Sequence, residues 1–401
     1  MKLADFEQLL TDSGQELLGR LAGGYDEAAA LSVAAKLRTQ YPPDLVATAL
    51  TQTRLRDRGL RKFGPRAQRM YFTAAGYEQA TRTSVAELRA DRFARAGARR
   101  IADLCCGIGG DALAFAEAGV EVLAVDRDPL TCAVLRANAR TFGLADLIEV
   151  RCADVETVSL NGCDAVFLDP ARRTERGRTF DPEAYSPSWS FALSLADRVP
   201  AVGFKVAPGL PHNLIPAGAQ AEWVSDSGDV KEAGIYFGNL VGAGVGTSAA
   251  DRHPARQATL LPGPHRLAAS DVPDPSPGPV RRYLYEADGA VIRAHLLGEL
   301  AEQITAHTID PTIAYLTSDQ LTATPFAAAY EITDVLPFNV KRLRAVVAER
   351  GYGILTVKKR GADIDPALLR KQLRPSGPNS AVLIVTRVAG AHTALLAQEA
   401  G

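Results

Sequence analysis

The stretch Asp103-Leu104-Cys105-Cys106-Gly107-Ile108-Gly109-Gly110-Asp111, entered directly from Ile101-Ala102, constrains this chain more than any other. A short apolar run ends, three glycines follow within four positions, and a helical pattern over 111–118 begins at once. Glycine takes backbone angles with φ > 0 and presents no side chain, so a ligand can approach the main chain there. The free N–H groups of the first helical turn point at the same spot. Such a loop joins strand to helix at the carboxyl end of a parallel sheet, which makes the centre of the chain α/β.

The spacing Gly107-x-Gly109-x-x-Ala112 also satisfies the loose dinucleotide pattern, so the loop alone does not separate a nicotinamide or flavin enzyme from a user of S-adenosylmethionine. The strand pattern 121–125 ends in Asp126, where a carboxylate can accept from both hydroxyls of an adenosine ribose in either cofactor. Asp103, just before the loop, and the segment Ala165-Val166-Phe167-Leu168-Asp169-Pro170-Ala171-Arg172 tilt the balance. Carboxylates suit a sulfonium amino acid with its ammonium group and repel a pyrophosphate.

Asp103 to Asp111, Val125-Asp126, Ala153-Asp154-Val155 and Leu168-Asp169-Pro170 resemble the ordered motifs of class I S-adenosylmethionine-dependent methyltransferases. From Met70 to Leu240 the chain is most similar to the trimethylguanosine synthase group of RNA guanine-N2 methyltransferases, including the lead-in Gly76-Tyr77-Glu78-Gln79-Ala80-Thr81. Behind it, Gly353 to Gly361, Asp363 to Arg374 and Ala381 to Arg387 resemble a THUMP-like domain. The resemblance implies a Rossmann-like sheet and an RNA substrate. It implies a cofactor site at Gln79, Thr81, Asp103, Cys105, Gly107, Gly109, Asp126, Arg127, Asp154 and Val155. In amino-methylating relatives the residues matching 169–172 are Asp, Asn or Ser, then Pro-Pro, then an aromatic. Asp169 and the Pro170 carbonyl are therefore the catalytic candidates, accepting from an exocyclic amine. Ala171 and Arg172 depart from the pattern, and the base-stacking ring is then sought in Phe180, Tyr185 or Trp189, with Arg172 itself able to stack or hold a phosphate.

The formal net charge of −1 gives no global attraction to nucleic acid, but the charge is uneven. Residues 51–100 hold thirteen Lys and Arg against four Asp and Glu, and residues 341–374 hold ten against three. Lys358, Lys359 and Arg360 at a strand end are candidate phosphate contacts, against the alternative of a solvated strand terminus. Five cysteines, none in Cys-x-x-Cys spacing, and six histidines without ligand spacing argue for neither a metal site nor a disulfide framework. No thiol lies between Asp164 and Arg178, which disfavours a cysteine-dependent route to a pyrimidine carbon. With no leader-like start and no long uncharged apolar run, the chain reads as cytoplasmic and free of membrane.

These patterns predict a helical N-terminal domain over 1–95, a cofactor domain over 96–262, a Pro-rich linker over 263–280 and an α+β C-terminal domain over 281–401, THUMP-like from about 340. The cofactor domain should place strands near 100–105, 120–125, 147–151, 163–168 and 200–206, and end in a hairpin, 221–225 with 231–237, at the sheet edge. Three functions fit: an RNA base-amine methyltransferase, a small-molecule methyltransferase, and an RNA-binding protein that keeps the cofactor fold without transfer. A nicotinamide-dependent oxidoreductase fits least.

Overall fold

The computed structural model describes residues 1–22, 30–171, 173–174, 177–178, 182–242, 255–270 and 272–400. The chain divides into two compact units, 1–220 with 233–254, and 221–232 with 255–401.

The first unit opens with α1 (Leu3–Leu9), α2 (Asp12–Leu21), α3 (Ala30–Leu37), α4 (Pro43–Phe63), α5 (Ala74–Gln79) and α6 (Thr83–Arg95). Pro42 and Pro43 start α4, and Gly64, with φ of 64°, stops it after Phe63. These helices are not a separate domain. Phe6, Leu17, Phe63 and Phe72 share one buried cluster with Phe93, Ile101 and Phe115. Two buried polar side chains stitch the segment after α4 to the rest: Gln52 pairs with both backbone groups of Phe72, and Asn138 with both of Tyr71. The expected boundary near residue 95 fails because α1 and α4 bury their apolar faces on the neighbours of the sheet rather than on each other alone.

The α/β pattern then runs β1 (Arg100–Leu104), α7 (Gly110–Glu117), β2 (Glu121–Asp126), α8 (Pro129–Thr141), β3 (Ile148–Cys152) and β4 (Ala165–Leu168). A short ribbon, β5 (Arg173–Thr174) with β6 (Gly177–Arg178), precedes α9 (Trp189–Ser194) and β7 (Ala201–Val206). The five expected strands are present. Fully buried runs such as Ala-Val-Phe-Leu in β4 belong to a parallel sheet covered on both faces. The strand order β7-β4-β1-β2-β3 is parallel throughout, and the register pairs Leu104 with Leu168 and Leu168 with Phe204. The residues just beyond those positions, Cys105, Asp169 and Lys205, therefore gather at one end of the sheet.

The hairpin of β8 (Gln220–Asp226) and β9 (Asp229–Gly238) turns at Ser227-Gly228, both with positive φ, as a two-residue connection requires. Residues 233–238 of β9 pair antiparallel with β7. β8 is not an edge, because β10 (Ala255–Leu261) lies beside it, followed by β11 (His265–Ala268). The predicted linker is also corrected: β11 falls inside 263–280, and the prolines after it are tied into the second unit, where Gly278 N donates to Thr308 O at 2.7 Å. Proline richness marked an irregular stretch, not a boundary.

The rest of the second unit comprises β12 (Tyr283–Ala287), α10 (Gly289–Arg293), α11 (Leu297–Gln303), β13 (His307–Asp310), β14 (Ile313–Ser318), β15 (Ala327–Pro337), α12 (Val340–Glu349), β16 (Tyr352–Lys359), α13 (Pro366–Leu373), β17 (Asn379–Val388) and β18 (Ala391–Glu399). They form a seven-stranded sheet in the order β13-β14-β12-β15-β18-β17-β16, in which only β16 and β17 pair in parallel. The sheet begins well before residue 340.

Candidate active site

The cofactor loop is shaped by close packing. Gly109, the N-cap of α7 with φ of 93°, has no room for a side chain: a Cβ there would lie 2.1 Å from Leu135 on α8. Gly107, with φ of 56°, faces open space, as a backbone surface awaiting a ligand should. Its N–H donates to Asp126 Oδ2 at 3.0 Å, and Asp126 Oδ1 accepts from Asp128 N at 3.0 Å. A carboxylate offers about four acceptor sites, so Asp126 retains capacity for two ribose hydroxyls while bracing the loop. Asn138, fully buried, donates to Ile108 O at 3.1 Å and fixes the loop from the α8 side.

Asp103 is buried to 1% exposure and its Oδ2 has no hydrogen-bond partner among the described residues. Burial, and next the nearby Asp169, push its carboxyl up to about 7, with Arg89 pulling the other way. An unpaired buried carboxyl is costly unless something cationic meets it, and an amino-acid ammonium is such a group. The orphaned Asp103 oxygen, the open Gly107 backbone and the spare acceptors of Asp126 together fit S-adenosylmethionine. Burial and the carboxylates Asp126, Asp169 and Asp103 hold the Cys105 thiol far above its ordinary range, so it stays neutral and is no nucleophile.

Of the remaining predicted cofactor residues, Gln79 ends α5 on the surface, Arg127 is exposed, and Asp154 caps its own turn by accepting from Glu156 N at 3.0 Å, with Val155 half-buried beside it. Thr81 is buried, and its hydroxyl is already engaged: it accepts from Lys205 Nζ at 3.1 Å and donates to Asp111 Oδ2 at 2.7 Å. Asp111 in turn pairs with the buried Arg89.

At the end of β4, Asp169 N donates to Leu104 O at 3.2 Å, which brings the Asp169-Pro170 turn against β1 and its loop. Ala171 exchanges two backbone hydrogen bonds with Ser186, pinning the far side of the turn. Asp169 Oδ2 accepts from Lys205 Nζ at 2.7 Å, while Oδ1 has no hydrogen-bond partner among the described residues. Lys205 was not read from the sequence. Its signal was present: one charge near the carboxyl end of the otherwise apolar run Ala201-Val202-Gly203-Phe204-Lys205-Val206, every residue of which is buried. Lys62 on α4 also belongs to this neighbourhood. Burial, then repulsion from Lys205 and Arg82, bring its ammonium down to about 8, and it donates to Tyr77 O at 2.8 Å and Glu78 O at 3.1 Å.

Tyr185 and Trp189 do not offer faces to a base. Both are buried, and Trp189 packs edge-on against Phe204 with centroids 5.9 Å apart. Arg172 and Phe180 lie outside the described residues. The basic triad in the second unit is also more committed than its sequence suggests. Lys358 Nζ pairs with Glu286 Oε2 at 2.6 Å, Arg360 approaches the other oxygen of Glu286 at 3.9 Å, and Lys359 donates to Ile364 O. Burial pulls Lys358 down, but its bonds to Glu286 and Tyr330 outweigh that and hold its ammonium above the usual lysine range. Lys358 and Arg360 line a cleft of about 810 Å³ with Glu286, Asp288 and His265. Among the described residues no group of three or more His, Cys, Asp or Glu is arranged to hold a metal ion, and no helix is long and apolar enough to cross a membrane.

Comparison with known proteins gives the family of the chain. Residues 98–181 match the family model described as RNA cap guanine-N2 methyltransferase, residues 327–399 match a THUMP domain-like model, and residues 2–59 match a domain of unknown function. An uncharacterised S-adenosylmethionine-dependent methyltransferase of Mycobacterium tuberculosis, found in two strains, is 31% identical over 324 residues, covering 79% of this chain and 84% of the relative. A crystal structure of a putative methyltransferase from Porphyromonas gingivalis W83 shares the fold at 17% identity, with a TM-score of 0.70 over 94% of this chain and all of that one. Being 31% identical to the mycobacterial methyltransferase over 79% of its own length, this chain belongs to the S-adenosylmethionine-dependent methyltransferases.

Proposed function

We propose that this enzyme transfers the methyl group of S-adenosylmethionine to an exocyclic amine of an RNA base. The observation that carries the reading is the Asp169-Pro170 turn: it is held beside the cofactor loop by the register of β4 on β1, with one carboxylate oxygen anchored and the other open. An amine whose hydrogens are accepted by Asp169 Oδ1 and the Pro170 carbonyl presents its lone pair outward, in line with the sulfonium carbon. The nitrogen–carbon bond forms as the carbon–sulfur bond breaks, the sulfonium leaves as a neutral thioether, and the nitrogen sheds its proton to solvent. Such displacement needs placement more than covalent help, and orientation alone supplies up to ~7–11 kcal/mol in favourable cases.

RNA as the substrate class is supported by the guanine-N2 family model over the catalytic segment and the THUMP-like model behind it. In this reading the enzyme works in the cytoplasm, where RNA and cofactor meet. The test is incubation with methyl-deuterated S-adenosylmethionine and total cellular RNA, followed by nucleoside mass spectrometry. A base-methylated nucleoside carrying the label is the expected product. Label in ribose, or only in small molecules of an RNA-free extract, would reject the reading.

A further inference from the structure

Lys205 has no place in the motifs discussed so far, yet it is the residue that holds Asp169. Its side chain is 9% exposed, against 25% for Asp169. A charge that deep is retained at a cost unless every donor is used. Two of its three donors are accounted for: Asp169 Oδ2 at 2.7 Å and Thr81 Oγ1 at 3.1 Å. Thr81 continues to Asp111, in the first turn of α7, and Asp111 to Arg89, whose guanidinium lies 4.2 Å over the Phe167 ring on β4. One hydrogen-bonded chain thus runs from the acceptor-facing carboxylate, through β7, to the helix that follows the cofactor loop.

We propose that Lys205 is the positioning residue of the transfer step: by holding Asp169 Oδ2 and Thr81 together, it fixes where the open Oδ1 lies relative to the cofactor loop. The proposal rests on the amine reading above. Without the lysine the Asp169 carboxylate is free to rotate about its own side-chain bonds and loses the cation that offsets its repulsion with Asp103. A displacement of about 1 Å in such a group is worth on the order of 100-fold in rate. The proposed cofactor contacts at Gly107 and Asp126 make no hydrogen bond to Lys205, and Lys205 acts on Asp103 only as the last of several nearby charges.

The test compares wild type, Lys205→Met and Lys205→Arg in methyl transfer to total cellular RNA, with S-adenosylhomocysteine affinity measured by calorimetry on the same preparations. Lys205→Met should lower kcat by about 100-fold, with KM for RNA and affinity for S-adenosylhomocysteine each within about threefold of wild type. Lys205→Arg, which keeps the charge and donors, should regain at least tenfold over Lys205→Met, and it remains informative if the methionine variant does not fold. The proposal is overturned if Lys205→Met retains wild-type kcat, if kcat and cofactor affinity fall by the same factor, or if a folded Lys205→Arg retains under a hundredth of wild-type kcat. Wild type that labels no RNA would overturn the amine reading and this proposal together, whereas an active wild type with an equally active Lys205→Met overturns this proposal alone.

Discussion

Asp103 shows at the scale of one residue how a cofactor site is kept ready at the expense of the empty fold. Its carboxyl, raised from about 4 in an unfolded chain to about 7, binds a proton more tightly in the folded state. The folded state then holds more protons than the unfolded one between those values, so this group's contribution to stability falls as pH rises from about 4 to about 7. Asp103→Asn should therefore match wild type in thermal stability below about pH 4 and exceed it at pH 8, measured without ligand. Cofactor binding should move oppositely. Wild-type affinity for S-adenosylmethionine should climb as pH passes upward through 7, while the variant's stays flat and is weaker at pH 8 by about tenfold to 100-fold, the worth of a ~1.5–3 kcal/mol bond to a charged group. Equal pH dependence in the two proteins would remove Asp103 from the ammonium contact.

Among the elements, α1 and the β16 end make opposite points about what a sequence discloses. Phe6 on α1 has no exposed surface and meets Tyr71 edge-on at 5.7 Å, inside the cluster that also buries the sheet's first helices. Phe6→Ala should cost ~3–5 kcal/mol and lower a single unfolding transition of the first unit rather than release the helices alone. Two separate transitions by calorimetry would restore an independent N-terminal domain. At β16, sharing Glu286 leaves Lys358 and Arg360 with one net positive charge, and Lys359 adds a second. Replacing all three by alanine should flatten the slope of log K against log salt for RNA by ~1.4–1.8, about two phosphates' worth rather than three. An unchanged slope in filter binding would take the triad off the RNA path.

The same elements show which parts of the structure were legible. The five parallel strands and the glycine loop stood out because buried runs and positive-φ positions are local properties, written in adjacent residues. The shared core of α1, the tie of the proline stretch to Thr308, and the Glu286 partner of Lys358 were not, because each joins residues far apart in sequence. Strands β14, β15 and β18 carry alternations too broken by polar residues to separate from loops. Lys205 lay between these cases: the lone charge in a buried strand was visible, but its partner followed only from the pairing of Leu168 with Phe204.

For the molecule as a whole, the first unit brings together the proposed cofactor cradle of β1, β2 and α7 and the proposed acceptor turn of β4, anchored by Lys205 of β7. In the proposed reaction Asp169 supplies the side-chain contact to the reacting amine's hydrogens. The most direct test is the rate of methyl transfer to RNA at saturating S-adenosylmethionine for wild type and Asp169→Ala, with cofactor affinity checked on both. The account predicts a loss of at least about 100-fold in rate with affinity within a few-fold, since the missing contact is made to the reacting group. An Asp169→Ala enzyme that transfers methyl groups at the wild-type rate would contradict it.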